Sequence, residues 1–121
     1  SNLSNKREIT NENNIKKFLY KNKFKILRLS DFSFKDQIAI FNSAKVIVGN
    51  HGAGFANLVF CKKNTKVIEF INKNTSKPIK KISKDLKLNY SFVRGKTIGK
   101  DTKDQYTNVK ISINQLKKKL N

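Results

Sequence analysis

The chain has 121 residues, with 27 lysines and arginines against 8 aspartates and glutamates, a net charge of +19, and 37% hydrophobic residues. That length suits one domain, that apolar share is too high for a disordered chain, and no apolar run nears the ~18–20 residues of a membrane-spanning helix. Cys61 stands alone, which excludes an intrachain disulfide. Its apolar neighbours mark it as a buried structural thiol, suited to a reducing compartment. Lysine supplies nearly all of the charge, Arg7, Arg28 and Arg94 being the only arginines. Lysine, asparagine, isoleucine and phenylalanine are abundant together, as in A/T-biased coding, so composition alone accounts for much of the excess. Whatever its origin, such a field attracts nucleotides, nucleic acids and acidic lipid surfaces. The first six residues are polar and lack the apolar core of a signal peptide. Ser1-Asn2 reads as a cloning remnant, and the chain as a piece of a longer protein.

In chain order, Thr10 or Asn11 caps a helix reaching about residue 22, with Ile15, Phe18 and Leu19 on one stripe. Residues 24–29 read as a strand, broken by Ser30-Asp31. Ser33 caps a second helix over residues 34–44, with Asp36 and Gln37 in its first turn and Phe34, Ile38 and Phe41 as its apolar face. Residues 45–49 form a short, continuously apolar strand, the pattern of a parallel strand covered on both faces. A loop over residues 50–54 leads to a short helix at 55–60, and residues 66–71 form another buried strand. Pro78 sits near the start of a helix ending about residue 87, where its missing N–H does no harm. Residues 89–94 make a fourth strand, residues 96–108 a polar loop, and residues 109–120 a closing helix. The alternation predicts an α/β, Rossmann-like domain: a small parallel sheet of about four strands flanked by helices, one domain over residues 1–121.

Ligands of open parallel sheets bind beyond the carboxyl ends of the strands, where residues 49–54, Gly-Asn-His-Gly-Ala-Gly, lie. Glycines at 49, 52 and 54 permit positive φ and close backbone approach, and the helix that follows offers free N–H groups to a phosphate. His51, the only histidine, can donate to an oxyanion, and Asn57 lies one turn on. The spacing is neither that of a dinucleotide fingerprint nor that of a P-loop, so a tight structural turn and a ligand loop both remain open. A lipase-type oxyanion hole is disfavoured because no Gly-x-Ser-x-Gly elbow is present. Glu69, inside an apolar strand, needs a partner. Ligand hydroxyls and a lysine salt bridge serve equally well. Tyr20, Tyr90 and Tyr106 read as core edges. Lysines 117–119 read as a solvated helix end, with contact to an anionic membrane as the alternative.

An ordered series of motifs then emerges: Arg7-x-x-x-Asn11-Glu12, Ser33-Phe34-x-x-Gln37, a strand ending at Gly49, His51-Gly52-Ala53-Gly54-x-x-Asn57, and Val67-Ile68-Glu69. From Arg7 to about Phe92 the chain resembles the C-terminal, donor-binding part of glycosyltransferase family 61, which includes capsular-polysaccharide biosynthesis proteins. The resemblance implies half of a two-domain GT-B enzyme that inverts the anomeric centre, takes a nucleotide-sugar donor (commonly a UDP-sugar), and needs no metal or other cofactor. It implies His51 as the catalytic position and Gly52, Ala53, Gly54, Asn57, Glu69, Arg7, Asn11, Glu12 and Gln37 as donor-binding positions. Phe55-Ala56 departs from the family's usual Leu-Thr, which removes one hydroxyl donor. The acceptor glycan and the general base are expected on an N-terminal domain outside this chain, so the isolated chain is expected to be inactive. A cytoplasmic location at the inner face of a bacterial membrane accompanies that reading. No specific nucleic acid is expected. A basic nucleic-acid-binding module without catalysis is the competing reading and rests on charge alone.

Overall fold

The computed structural model describes residues 9–50, 53–71, 77–98 and 109–121. The elements run α1 (Glu12–Lys21), a 3-10 turn (Leu29–Asp31), α2 (Phe34–Ser43), β1 (Val46–Asn50), a 3-10 helix (Ala53–Phe60), β2 (Lys66–Ile71), α3 (Lys77–Asp85), β3 (Asn89–Arg94), β4 (Lys96–Thr97), β5 (Val109–Lys110) and α4 (Ile113–Leu120). Strands β1, β2 and β3 form a parallel sheet in that order, with Val46, Lys66 and Asn89 level with one another. Strands β4 and β5 make a separate antiparallel ladder.

The central strand dictates the layers. Successive side chains of β2 point to opposite faces, and Val67 to Ile71 are all buried. Ile68 and Phe70 pack with Ile15, Leu19, Val93, Ile111 and Leu116 under α1 and α4. Val67 packs with Phe41, Phe55, Leu58, Ile79 and Leu88 under α2, the 3-10 helix and α3. An α/β sandwich with helices on both sheet faces is therefore present, as the alternation of elements required.

Several expectations are corrected. The parallel sheet has three strands among the described residues, not four, because residues 24–28 pair with no strand. Their apolar residues do not alternate strictly, and Ile26 and Leu27 are each 43% exposed, so no single face demands burial. A cleft of about 560 Å³ is lined both by Phe24, Ile26 and Leu27 and by Val46 and Val48 of β1. As an edge strand, β1 is only half-buried rather than covered on both faces. Phe34 is 63% exposed and leaves the core face of α2 to Phe41, touching the ring of Phe60 edge-on at 5.8 Å between centroids. Residues 55–60 wind as 3-10 rather than α-helix, and the closing helix starts four residues later than expected, after β5. Lys96 and Thr97, assigned to a polar loop, are the strand that pairs with β5.

Helix starts follow their caps. The Ser33 hydroxyl accepts from the Asp36 N–H at 3.1 Å, and the Ser112 hydroxyl accepts from the Gln115 N–H at 3.2 Å. Asn11 occupies the N-cap of α1 without capping it, its side chain being engaged elsewhere.

At the carboxyl end of β3, the Gly95 N–H donates to the Ile71 carbonyl at 2.6 Å, and a Cβ built on Gly95 would stand 2.8 Å from both Cβ and Cγ2 of Val109. Gly95→Ala is therefore expected to push β5 away and to cost about 1–3 kcal/mol, as overpacking does. Thermal melting reads it, and an unchanged midpoint would show that the β4–β5 ladder yields freely.

Candidate functional site

The carboxyl end of β1 is where the glycine-rich loop departs. Gly49 lies within the regular strand and pairs with Glu69, and a Cβ there would make only ordinary contact with the Phe55 ring at 3.6 Å. Neither space nor an unusual backbone conformation requires glycine at this position. Residues 51 and 52 fall outside the described residues, and so does Arg7, so His51, Gly52 and Arg7 carry no geometry here. Ala53 and Gly54 open the 3-10 helix that contains Asn57.

Two of the motif positions meet directly. Gln37, in the first turn of α2, donates from Nε2 to the carbonyls of Leu29 at 2.8 Å and Phe32 at 3.1 Å. Its Oε1 accepts from the Asn57 Nδ2 at 2.9 Å. Both protons of the Gln37 amide are spent on backbone carbonyls, which fixes the direction of its oxygen. The side chain therefore ties the 3-10 turn before α2 to the helix after the glycine loop. Asn42 adds a second tie, donating to the Phe60 carbonyl at 3.1 Å.

Glu69 is fully buried on the face of β2 that also carries Val67. The Tyr90 hydroxyl donates to its Oε1 at 2.6 Å, a short, charge-assisted bond. Burial raises the Tyr90 phenol well above its ordinary value, and the hydrogen bond to Glu69 and the charge of that carboxylate raise it further. A carboxylate at zero exposure holds its surroundings in place. Any ligand it touched would have to enter the sheet's covered face. Tyr90, which the sequence placed at a core edge, is the partner of Glu69 that sequence reasoning missed. In the register Val67 pairs with Tyr90, so Tyr90 projects on Glu69's face one step below it. Only the register reveals that.

Asn11 and Glu12 sit apart from this pair. The Asn11 Nδ2 donates to the Ile111 carbonyl at 2.7 Å while its Oδ1 accepts from the Ile111 N–H at 3.1 Å, so the side chain mimics a backbone partner and clasps the start of α1 to the segment before α4. Glu12 lies 3.9 Å from Lys16 on an exposed helix face and borders the cleft beside β1. An exposed pair at that distance contributes little. Cys61 is half-buried rather than buried as expected, and desolvation raises its thiol above the ordinary value. Among the described residues no three His, Cys, Asp or Glu side chains converge on a metal-sized space. No helix there is long and apolar enough to cross a membrane.

With the Gln37–Asn57 tie and the loop's place at a strand end established, comparison with known proteins decides the family. The family model described as Glycosyltransferase 61 matches residues 2–68, more than half of the chain. The chain belongs to glycosyltransferase family 61. It is also similar to a β-1,2-xylosyltransferase of Arabidopsis thaliana, 38% identical over 50 residues. That alignment takes in 41% of this chain and 9% of the relative, so it touches only a small part of the xylosyltransferase. The family 61 match includes the Asn11, Gln37 and Asn57 positions and ends one residue before Glu69.

Two outcomes test this geometry. Gln37→Leu strands the Leu29 and Phe32 carbonyls and the Asn57 amide, and is expected to cost about 1–3 kcal/mol, read by urea unfolding, whereas Gln37→Glu keeps the acceptor for Asn57 but turns a carboxylate oxygen onto both carbonyls and should lose at least as much. The raised Tyr90 phenol means that the folded state keeps a proton the unfolded chain sheds near pH 10. Its stabilisation is complete below that pH and declines as the pH rises further. Ultraviolet titration should show one tyrosine ionising later than the others, and Tyr90→Phe should remove that late step.

Proposed function

We propose that this family 61 chain is the nucleotide-sugar-binding part of an inverting glycosyltransferase, with a UDP-sugar as the donor and a glycan, as in polysaccharide or capsule assembly, as the acceptor. The observation that carries the reading is the Asn57–Gln37 hydrogen bond. It joins two motif positions 20 residues apart and anchors the helix that begins where the glycine loop ends. A parallel strand, a glycine loop and a helix start together form the arrangement that receives phosphate groups in open α/β sheets.

In this reading the backbone N–H groups of residues 52–54, His51 and Arg7 receive the diphosphate. The step is a single displacement. A base outside this chain takes the acceptor hydroxyl proton, the acceptor oxygen bonds to the anomeric carbon, and the bond from that carbon to the diphosphate oxygen breaks with inversion. Negative charge grows on the departing UDP, and His51 and the loop N–H groups stabilise it. Gln37 and Asn57 keep the helix start at the right height. Glu69, braced by Tyr90, steadies the strand end from beneath. Asn11 supports the site at a distance by holding α1 in place.

Titrating the nitrogen-15-labelled chain with UDP, GDP and CMP tests this. Shifts concentrated at residues 52–57 and at Glu69, largest for UDP, are expected at millimolar ligand. His51→Ala should weaken UDP binding by about 10–150-fold, the worth of one charge-assisted hydrogen bond. No shift with any of the three nucleotides would overturn the donor-site reading.

A further inference from the structure

At the carboxyl end of the parallel sheet lie the start of α2, with Lys35 beside Asp36, and Arg94 and Lys96 at and after the end of β3. At the opposite end, the three turns that feed the strands stand level, because Val46, Lys66 and Asn89 are in register. These turns are bonded to one another. The Lys66 N–H donates to the Lys45 carbonyl at 3.0 Å, the Asn64 N–H to Lys87 at 2.9 Å, and the Asn89 N–H to Thr65 at 2.9 Å. Thr65 adds a side-chain bond to Lys62 at 2.8 Å. The C-terminus of α4 joins the same end, since the Lys66 ammonium donates to the Lys119 and Leu120 carbonyls at 3.1 and 3.2 Å.

This rigid end presents Lys45, Lys62, Lys63, Lys84 and Lys87, all exposed, together with the exposed lysines 117–119 that close α4. Asp85 is the acid beside them, and it already faces Lys81 at 3.5 Å. Lysines in the last turns of α3 and α4 complement the helix dipoles. Lys45, just past α2, and Lys62 and Lys63, just past the 3-10 helix, stand near helix carboxyl ends as well. The dipoles, each worth about half a charge, cannot account for a cluster of this size.

We propose that this lysine-covered end of the sheet is a docking face for an anionic lipid bilayer, which sets the carboxyl end of the sheet pointing away from the membrane. The partner follows from the shape and chemistry of the face. Three turns at one level make a broad contact for a planar charged surface, and juxtamembrane lysines are attracted to such surfaces within a Debye length. Single-stranded nucleic acid is held by successive stacking aromatics, and duplex grooves are entered by a helix or ribbon. The turns at residues 45, 61–65 and 86–88 contain no aromatic and no arginine. The inference rests on charge and topology and is independent of the donor-site reading.

Vesicle co-sedimentation of the full chain tests it, with phosphatidylcholine alone and with phosphatidylcholine and phosphatidylglycerol in equal parts. Binding to the anionic vesicles and not to the neutral ones is expected. Changing Lys45, Lys62, Lys63 and Lys84 to Gln should weaken binding by more than about a hundredfold, at about fivefold per lysine near an anionic surface. A control with Lys35, Lys80, Lys96 and Lys110 changed to Gln carries the same net charge and should bind nearly as the parent does. Circular dichroism confirms that both variants fold, since all eight positions are exposed. Equal losses in the two variants would overturn the proposal, because net charge alone would then explain binding. So would failure to bind anionic vesicles, or tighter binding to a short RNA at the same salt with only that binding lost in the first variant.

Discussion

Everything in this domain depends on β2 being covered from both sides. A central parallel strand has no solvent face, so each of its side chains must find a layer. The strand answers with apolar residues at every buried position but one. Ile68 and Phe70 gather α1 and α4 on one side, and Val67 gathers α2, α3 and the 3-10 helix on the other. The exception, Glu69, is tolerated because its charge is hydrogen-bonded by the Tyr90 hydroxyl. An isolated carboxylate there would be prohibitively expensive. The fold thus places this costly group level with Gly49, near the carboxyl end of β1.

The second organising constraint is the fixing of short polar links. Gln37 is worth more than a surface glutamine because three partners share its one amide. Such a link has a direction, and it transmits the position of α2 to the helix after the glycine loop without an apolar contact. Asn11 does the same between the two ends of the described structure. Both residues belong to motifs, yet in the structure they bond to protein. A motif residue can persist because it aims its neighbours rather than because it touches a ligand.

Much of this was legible in the sequence. The helices α1, α2 and α3 and the three parallel strands follow from apolar periodicity, the serine cap at Ser33 and the turn residues between them. What the sequence did not reveal was pairing. The stretch at residues 24–28 has the composition of a strand, but composition does not guarantee an edge to bond to. The same blindness hid Tyr90, whose proximity to Glu69 exists only through the β2–β3 register. The two-residue strands β4 and β5 are too short to carry any periodicity at all. Within the site, Gln37 and Asn57 were legible as members of an ordered series and not as a hydrogen-bonded pair. Nothing in either residue's neighbourhood announces the other.

The Asn11–Ile111 clasp has a consequence for how the molecule assembles. It joins residues 100 positions apart, and the helical layer over one face of the sheet, with Ile15, Leu19 and Leu116, comes from the ends of the chain that this clasp brings together and packs on Ile68, Phe70 and Val93. The buried residues of the other face all lie between Phe41 and Leu88. Closing the long loop costs entropy that no contact repays until both ends arrive. The two faces of the sheet should therefore acquire their order at different times. The half that bears Glu69 and Asn57 comes first, and α1 and α4 close last over a sheet already formed.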